Sequence, residues 1–193
     1  KAFFQPGVHL VSIKFQPDGF NRFTAIPGGQ LRDDYAPLEE MRGLWTPELT
    51  ERLAEAPDDA HRVRLLDAHL LRRLPNWSTR PDATQYALHL INSQRDTGSV
   101  DDLARTLRVS RRHLARLFEE RVGVSPNFYA RTVRFAHLSR HLWSTGPVDY
   151  QNLVHEFGFH DQSHFIREVR LFTGLNPSLA ARNPRLHDFM LHA

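Results

Sequence analysis

Asp102-Leu103-Ala104-Arg105-Thr106-Leu107-Arg108-Val109-Ser110-Arg111-Arg112-His113-Leu114-Ala115-Arg116-Leu117-Phe118 is the stretch on which the fold turns. Val100, Leu103, Ala104 and Leu107 recur at helical spacing, and so do Leu114, Leu117 and Phe118. The spacing predicts two short amphipathic helices. Val109 plugs the turn between them. Ser110 suits the start of the second, because its hydroxyl can accept a backbone N–H that the helix leaves free. Ala104 is small, as a position needs to be where a second helix crosses closely. With the leucines and Phe118 turned inward, Arg111, Arg112, Ala115 and Arg116 remain outward. The stretch reads as helix, tight turn, helix.

Working outward, the same unit occurs again. Asp102-Leu103-Ala104 is answered by Asn152-Leu153-Val154 at an offset of 50, and Leu114, Gly123 and Pro126 by Phe165, Gly174 and Pro177 at an offset of 51. A duplicated supersecondary unit accounts for this self-similarity. The extra residue falls between the two helices of the second unit, where a turn absorbs it without moving the core faces. There Tyr150, Leu153, Val154 and Phe157 form the apolar stripe, Gly158 turns the chain, Phe159 plugs it and Asp161 caps. Phe165 and Val169 go inward; Gln162, Ser163, Ile166 and Arg167 stay out. Between the units a helix is predicted from Asn127 to Trp143, spanning roughly 25 Å at about 1.5 Å per residue. With the recognition helices added, two major grooves about 34 Å apart come within reach.

Arg and Gln at the start of a second helix suit a major groove, where Arg donates twice to guanine and Gln pairs with adenine. The free N–H groups of a capped helix start favour a phosphate. Phosphate contacts are accordingly expected from Ser110, Arg111, Asn127, Arg131 and His164, with Arg131 or Arg134 alternatively pairing with Glu119 or Glu120. His113 and His164 occupy matching places in the two helices and suit packing or phosphate.

The pattern resembles the AraC/XylS family of bacterial transcription regulators. The residues that carry the resemblance are Leu103-Ala104, Ser110 to Phe118 and Gly123-Val124-Ser125-Pro126, then Gly158-Phe159, Asp161 to Phe165 and Phe172-Thr173-Gly174-Leu175-Asn176-Pro177. It covers residues 82–182. It implies a mainly α protein whose C-terminal double helix-turn-helix domain, residues 80–183, has seven helices, with units at 100–126 and 149–177 and a tail at 184–193. It implies base contacts from Arg112, Ala115 and Arg116 in one recognition helix and Gln162, Ser163 and Arg167 in the other. The partners implied are double-stranded promoter DNA and RNA polymerase, in the bacterial cytoplasm; an activator would recruit the polymerase, and the sequence leaves activator and repressor both open. Two positions depart from the family. Arg108 stands where glycine is frequent, so a left-handed backbone there would carry a modest cost. Ala115 offers only a methyl group, suited to thymine.

Upstream, residues 1–79 are expected to be a partial sensor and dimerisation region. Strands are predicted to about residue 30, from the alternation around Val8 to Phe15 and the turn signals Pro17-Asp18-Gly19 and Pro27-Gly28-Gly29. A helical hairpin is predicted over 38–74, with Leu38, Met41, Leu44, Trp45, Leu49 and Leu53 in one helix and Val63, Leu66, Leu70 and Leu74 in the next. Pro75 to Pro81 reads as the linker. Residues 8–74 resemble the sensor part of a less characterised group of the same family, where further strands lie upstream in a cupin-like arrangement; an incomplete sensor, or cupin-like remnant, is expected here. Phe3, Phe4, Phe15, Phe20 and Phe23 are either the core of those strands or the lining of a small-molecule effector pocket. The apolar rows of helices 48–74 suit the hairpin interior or a homodimer seam.

Composition narrows the remaining classes. The 193 residues contain no cysteine, which removes disulfides, thiolate nucleophiles and Cys-containing zinc sites. Relatives of the family with alkyl-transfer chemistry need a reactive cysteine. No apolar run is long enough to span a bilayer, and no secretion signal is visible. Residues 1–79 carry 10 Lys+Arg against 11 Asp+Glu, and residues 80–183 carry 14 against 10. The basic excess thus lies with the duplicated units. His155-Glu156-Phe157-Gly158-Phe159-His160 resembles a metalloprotease helix, but its second His comes one residue late and off the face. No nucleophile–base arrangement, Walker loop or cofactor motif stands out, so catalytic and metal residues are expected to be none. The rival reading is a protein-interaction module that keeps the fold without reading DNA.

Overall fold

The computed structural model describes residues 11–24, 26–32, 36–41, 43–74, 81–93, 98–144 and 150–183. The described residues divide into two compact units, one within 1–80 with 119–123 and the other within 81–118 with 124–183.

In the first unit, α1 (Pro47–Glu55) and α2 (Asp59–Arg73) pack as the predicted hairpin. Each start is fixed by a side chain. Thr46 accepts the Leu49 N–H at 3.3 Å, and Asp58 accepts that of His61 at 2.8 Å. The hairpin begins later than the leucine spacing suggested. Gly43 sits at φ +89° and Thr46 is extended, so Leu38–Glu40 is only a single 3-10 turn before α1. Met41, Leu44, Leu49, Ala56 and Leu66 are buried. His69, also buried, lies with Nε2 2.8 Å from the Leu44 carbonyl.

The predicted β segment is corrected here. Among the described residues there is no strand. Residues 17–23 instead make a turn closed by Gly19 N–H to the Gln16 carbonyl at 2.7 Å, followed by a 3-10 turn at Phe20–Arg22. A second 3-10 turn covers Gly28–Leu31. The physical reason is that alternation alone does not make a strand; its N–H and C=O groups need a neighbouring strand to pair with. The turn residues were read correctly, and the rings around them collapse on one another. Phe15 meets Phe20 edge-on at 5.7 Å and Phe23 at 5.4 Å. Residues 8–10 of the predicted strand, Phe3, Phe4, most of the linker and the tail lie outside the described residues.

Seven helices fall among the described residues of the second unit, α5 with all but its last turn: α3 (Ala83–Ser93), α4 (Val100–Thr106), α5 (Arg111–Arg121), α6 (Pro126–Ser144), α7 (Tyr150–Glu156), α8 (Gln162–Thr173) and α9 (Pro177–Ala180). The first helix-turn-helix is α4–α5 and the second α7–α8. Leu103, Ala104, Leu114 and Phe118 are buried in the first, as their spacing required. In the second, Leu153, Val154, Phe157, Phe159, Phe165 and Val169 join Phe135, Leu138 and Leu142 of α6 in one core. The long helix α6 therefore supplies the wall on which the second unit is built.

Candidate nucleic-acid interface

The two turns that present α5 and α8 are built alike. In each, the N–H of the plug residue reaches back to the carbonyl of the small residue on the first helix: Val109 to Ala104 at 3.1 Å, Phe159 to Val154 at 2.9 Å. Such a closure needs a left-handed residue just before the plug. Gly158 provides it at φ +64°, and Arg108 provides it at φ +54°, the one described residue other than glycine with positive φ. The units stay in register through Phe159. His160 is then the inserted residue, and the caps follow at the longer offset.

Ser110 Oγ accepts the His113 N–H at 3.1 Å, and Asp161 Oδ1 accepts the His164 N–H at 2.6 Å. That bond from the His164 backbone holds the Asp161 carboxyl below the usual carboxylate range, with His160 and Arg167 adding favourable charge. One element earlier, Ser99 and Asp102 form a reciprocal capping box at the start of α4. Hydrogen bonds from Ser99 lower the Asp102 carboxyl in the same way.

With the caps fixed, the faces follow. On α5, Arg111, Arg112, Ala115 and Arg116 are exposed while Leu114 and Phe118 are fully buried. Arg111 reaches Asp101 at 3.4 Å, and Arg116 lies 3.3 Å from His113 Nδ1. Arg112 makes no hydrogen bond or ion pair among the described residues. On α8, Gln162, Ser163 and Arg167 are exposed. Ile166, read as outward from its spacing, is half-buried against the core. Beside it a cleft of about 330 Å³ is lined by Tyr150, Gln162, Phe165, Arg170 and Pro177.

The residues expected at phosphate divide. Ser110, Arg111 and Asn127 are exposed near helix starts. His164 is half-buried; its Nδ1 takes the His160 N–H at 3.3 Å, and its ring meets Phe159 edge-on. Arg131 is turned inward. Its guanidinium grips Glu168 with Nε to Oε2 at 2.9 Å and Nη2 to Oε1 at 2.7 Å. Hydrogen bonding to Glu168 raises the Arg131 pKa above its ordinary value, against the opposing effect of burial. Arg134 lies 3.3 Å from the Gly158 carbonyl, with its guanidinium over the Phe159 ring at 5.0 Å. Of the two alternative partners, Glu119 receives Arg32 at 2.7 Å. The Arg131–Glu168 pair was not foreseen. Its signal was available: Arg131 falls at helical spacing with Phe128, Phe135 and Leu138, and Glu168 with Phe165 and Phe172.

Among the described residues no group of three or more His, Asp or Glu could hold a metal ion. Among the same described residues no helix is long and apolar enough to cross a membrane.

Residues 103–183 match a sequence family described as a helix-turn-helix domain. The match is of the AraC type and supports a DNA-binding regulatory domain over those residues. No curated protein and no solved structure matches the chain.

Proposed function

We propose that the chain is a sequence-specific transcription regulator that lays α5 and α8 in successive major grooves of promoter DNA. The observation that carries the reading is the repeated presentation of a capped helix with an exposed polar face: Arg112, Ala115 and Arg116 on one, Gln162, Ser163 and Arg167 on the other. Arginine forks fit guanine edges, Gln162 fits adenine, and the Ala115 methyl fits thymine. Ser110, Arg111 and Asn127 take phosphate oxygens, which fix register and not sequence. Arg131 and His164, engaged inside the second unit, act on α8 rather than on the DNA backbone.

The first unit supports regulation and pairing. A cavity of about 340 Å³, lined chiefly by Phe15, Phe20, Leu38, Met41, Leu44 and Trp45, suits a small apolar effector. Val63 and Leu71 on α2, and Leu74 just beyond it, are exposed and suit a homodimer seam. Recruitment of RNA polymerase would follow from binding at a promoter.

The test is selection of bound duplexes from a random pool, followed by titration at several salt concentrations. A motif in two parts spaced by about one helical turn supports the reading. Weak binding without a motif, fading with salt as counterion release requires, contradicts it and favours the protein-interaction module.

A further inference from the structure

The Arg131–Glu168 pair does something in the second unit that the apolar contacts around it do not. α6 and α8 meet along one seam. Phe172 stacks on Phe135 at 4.7 Å and lies 6.3 Å from Phe128. Flat ring faces hold helices together but tolerate sliding and rotation, because dispersion is not directional. Arg131 enters the same seam between Phe128 and Phe135 and meets Glu168 through two parallel hydrogen bonds. A planar fork on a carboxylate fixes direction as well as distance.

The burial of the pair adds to the case. The Glu168 side chain is 8% exposed and that of Arg131 28%. Taking such charges out of water is costly, and an apolar pair of the same volume commonly stabilises as well or better. Stability alone is therefore a poor reason for this contact, whereas a fixed orientation is a good one. Arg134, one turn further along α6, holds the Gly158 carbonyl and the Phe159 ring. The helix α6 thus grips both the turn before α8 and the middle of α8.

We infer that Arg131 and Glu168 are a positioning pair that sets the rotation of α8 about its own axis, and so determines the specificity of the half-site that α8 reads. The inference rests on the DNA-reading function proposed above. A rotation of about 10–20° moves the helix surface, about 5–6 Å from the axis, by roughly 1–2 Å. Base-edge hydrogen bonds are lost over such a distance. Arg167 precedes Glu168 in the chain, so any turn of Glu168 is passed directly to it.

The test uses the full chain and duplexes randomised in one half-site at a time, at a temperature well below unfolding. The variants are Arg131→Lys, Glu168→Gln and the apolar pair Arg131→Met with Glu168→Leu. Lysine keeps the charge without the fork, and the apolar pair keeps the volume without the direction. Each is expected to lose about tenfold or more of its discrimination in one half-site, the half that Arg167→Ala relaxes, and to leave the other unchanged. Adding Arg167→Ala to the apolar pair is expected to bring little further loss. If the apolar pair does not fold, the two single variants decide. Discrimination kept in both half-sites, or lost equally in both, overturns the inference while leaving the DNA-reading function standing. A wild-type chain that selects no motif overturns that function, and the inference with it.

Discussion

Arg108→Gly should make the C-terminal unit more stable. At φ +54° the Arg108 backbone lies in the left-handed region, which costs an L residue roughly 1–2 kcal/mol. Glycine removes that cost but brings back about 0.5–1 kcal/mol of chain entropy. The balance is about 0.5–1 kcal/mol in favour of the variant. The Arg108 side chain is exposed and no hydrogen bond or ion pair holds it among the described residues. Its loss should therefore subtract nothing further, and the turn bond from its own N–H to the Arg105 carbonyl at 3.1 Å is kept. For a unit of about 100 residues the gain corresponds to a rise in Tm of about 2–8 °C. Calorimetry and urea titration both read it. The second turn supplies the mirror image: Gly158→Ala at φ +64° should lose about 1 kcal/mol. If Arg108→Gly is neutral or destabilising while Gly158→Ala is harmless, the left-handed reading of the turns is wrong.

Other outcomes follow from the same geometry. Leu114→Ala empties a fully buried site under α5 and should cost about 2–5 kcal/mol in urea denaturation. Ser110→Ala removes the acceptor of the His113 N–H and should cost about 1 kcal/mol, readable as faster hydrogen exchange in the first turn of α5. Asp161 should add a pH dependence. Its folded pKa is depressed, so its contribution is complete above the ordinary carboxylate value and is lost as pH falls through the folded one. Acid titration of Asp161→Ala should therefore give a shallower loss of stability below about pH 4 than wild type, and curves that run parallel there would contradict the cap.

The sequence made the duplicated unit legible because several local signals agreed. The stripe of Leu103, Ala104 and Leu107, the cap at Ser110 and the buried Leu114 and Phe118 all demanded one packing. The second unit repeated it down to the residue that differs in the turn, His160. In the N-terminal segment alternation and turn signals are both local, and neither specifies a partner strand. There Pro17-Asp18-Gly19 and the neighbouring phenylalanines made turns and ring contacts instead. The start of α1 was misplaced because leucine spacing ran through Gly43, where the backbone is left-handed. Ile166 was read as outward from an ideal helical wheel, yet the core reaches far enough round α8 to half-bury it. For Arg131 the sequence leaves phosphate and an ion pair with Glu119 or Glu120 both open, and it does not point to Glu168. Its partner lies 37 residues away on another helix, and no local rule links the two.

On the proposed function α5 and α8 each read their own half of one DNA site. The most direct test compares Arg112→Ala and Arg167→Ala on duplexes substituted in one half at a time. Each variant is expected to lose about 1–3 kcal/mol of discrimination in a different half and to keep it in the other. Both variants relaxing the same half, or neither relaxing any, would contradict it.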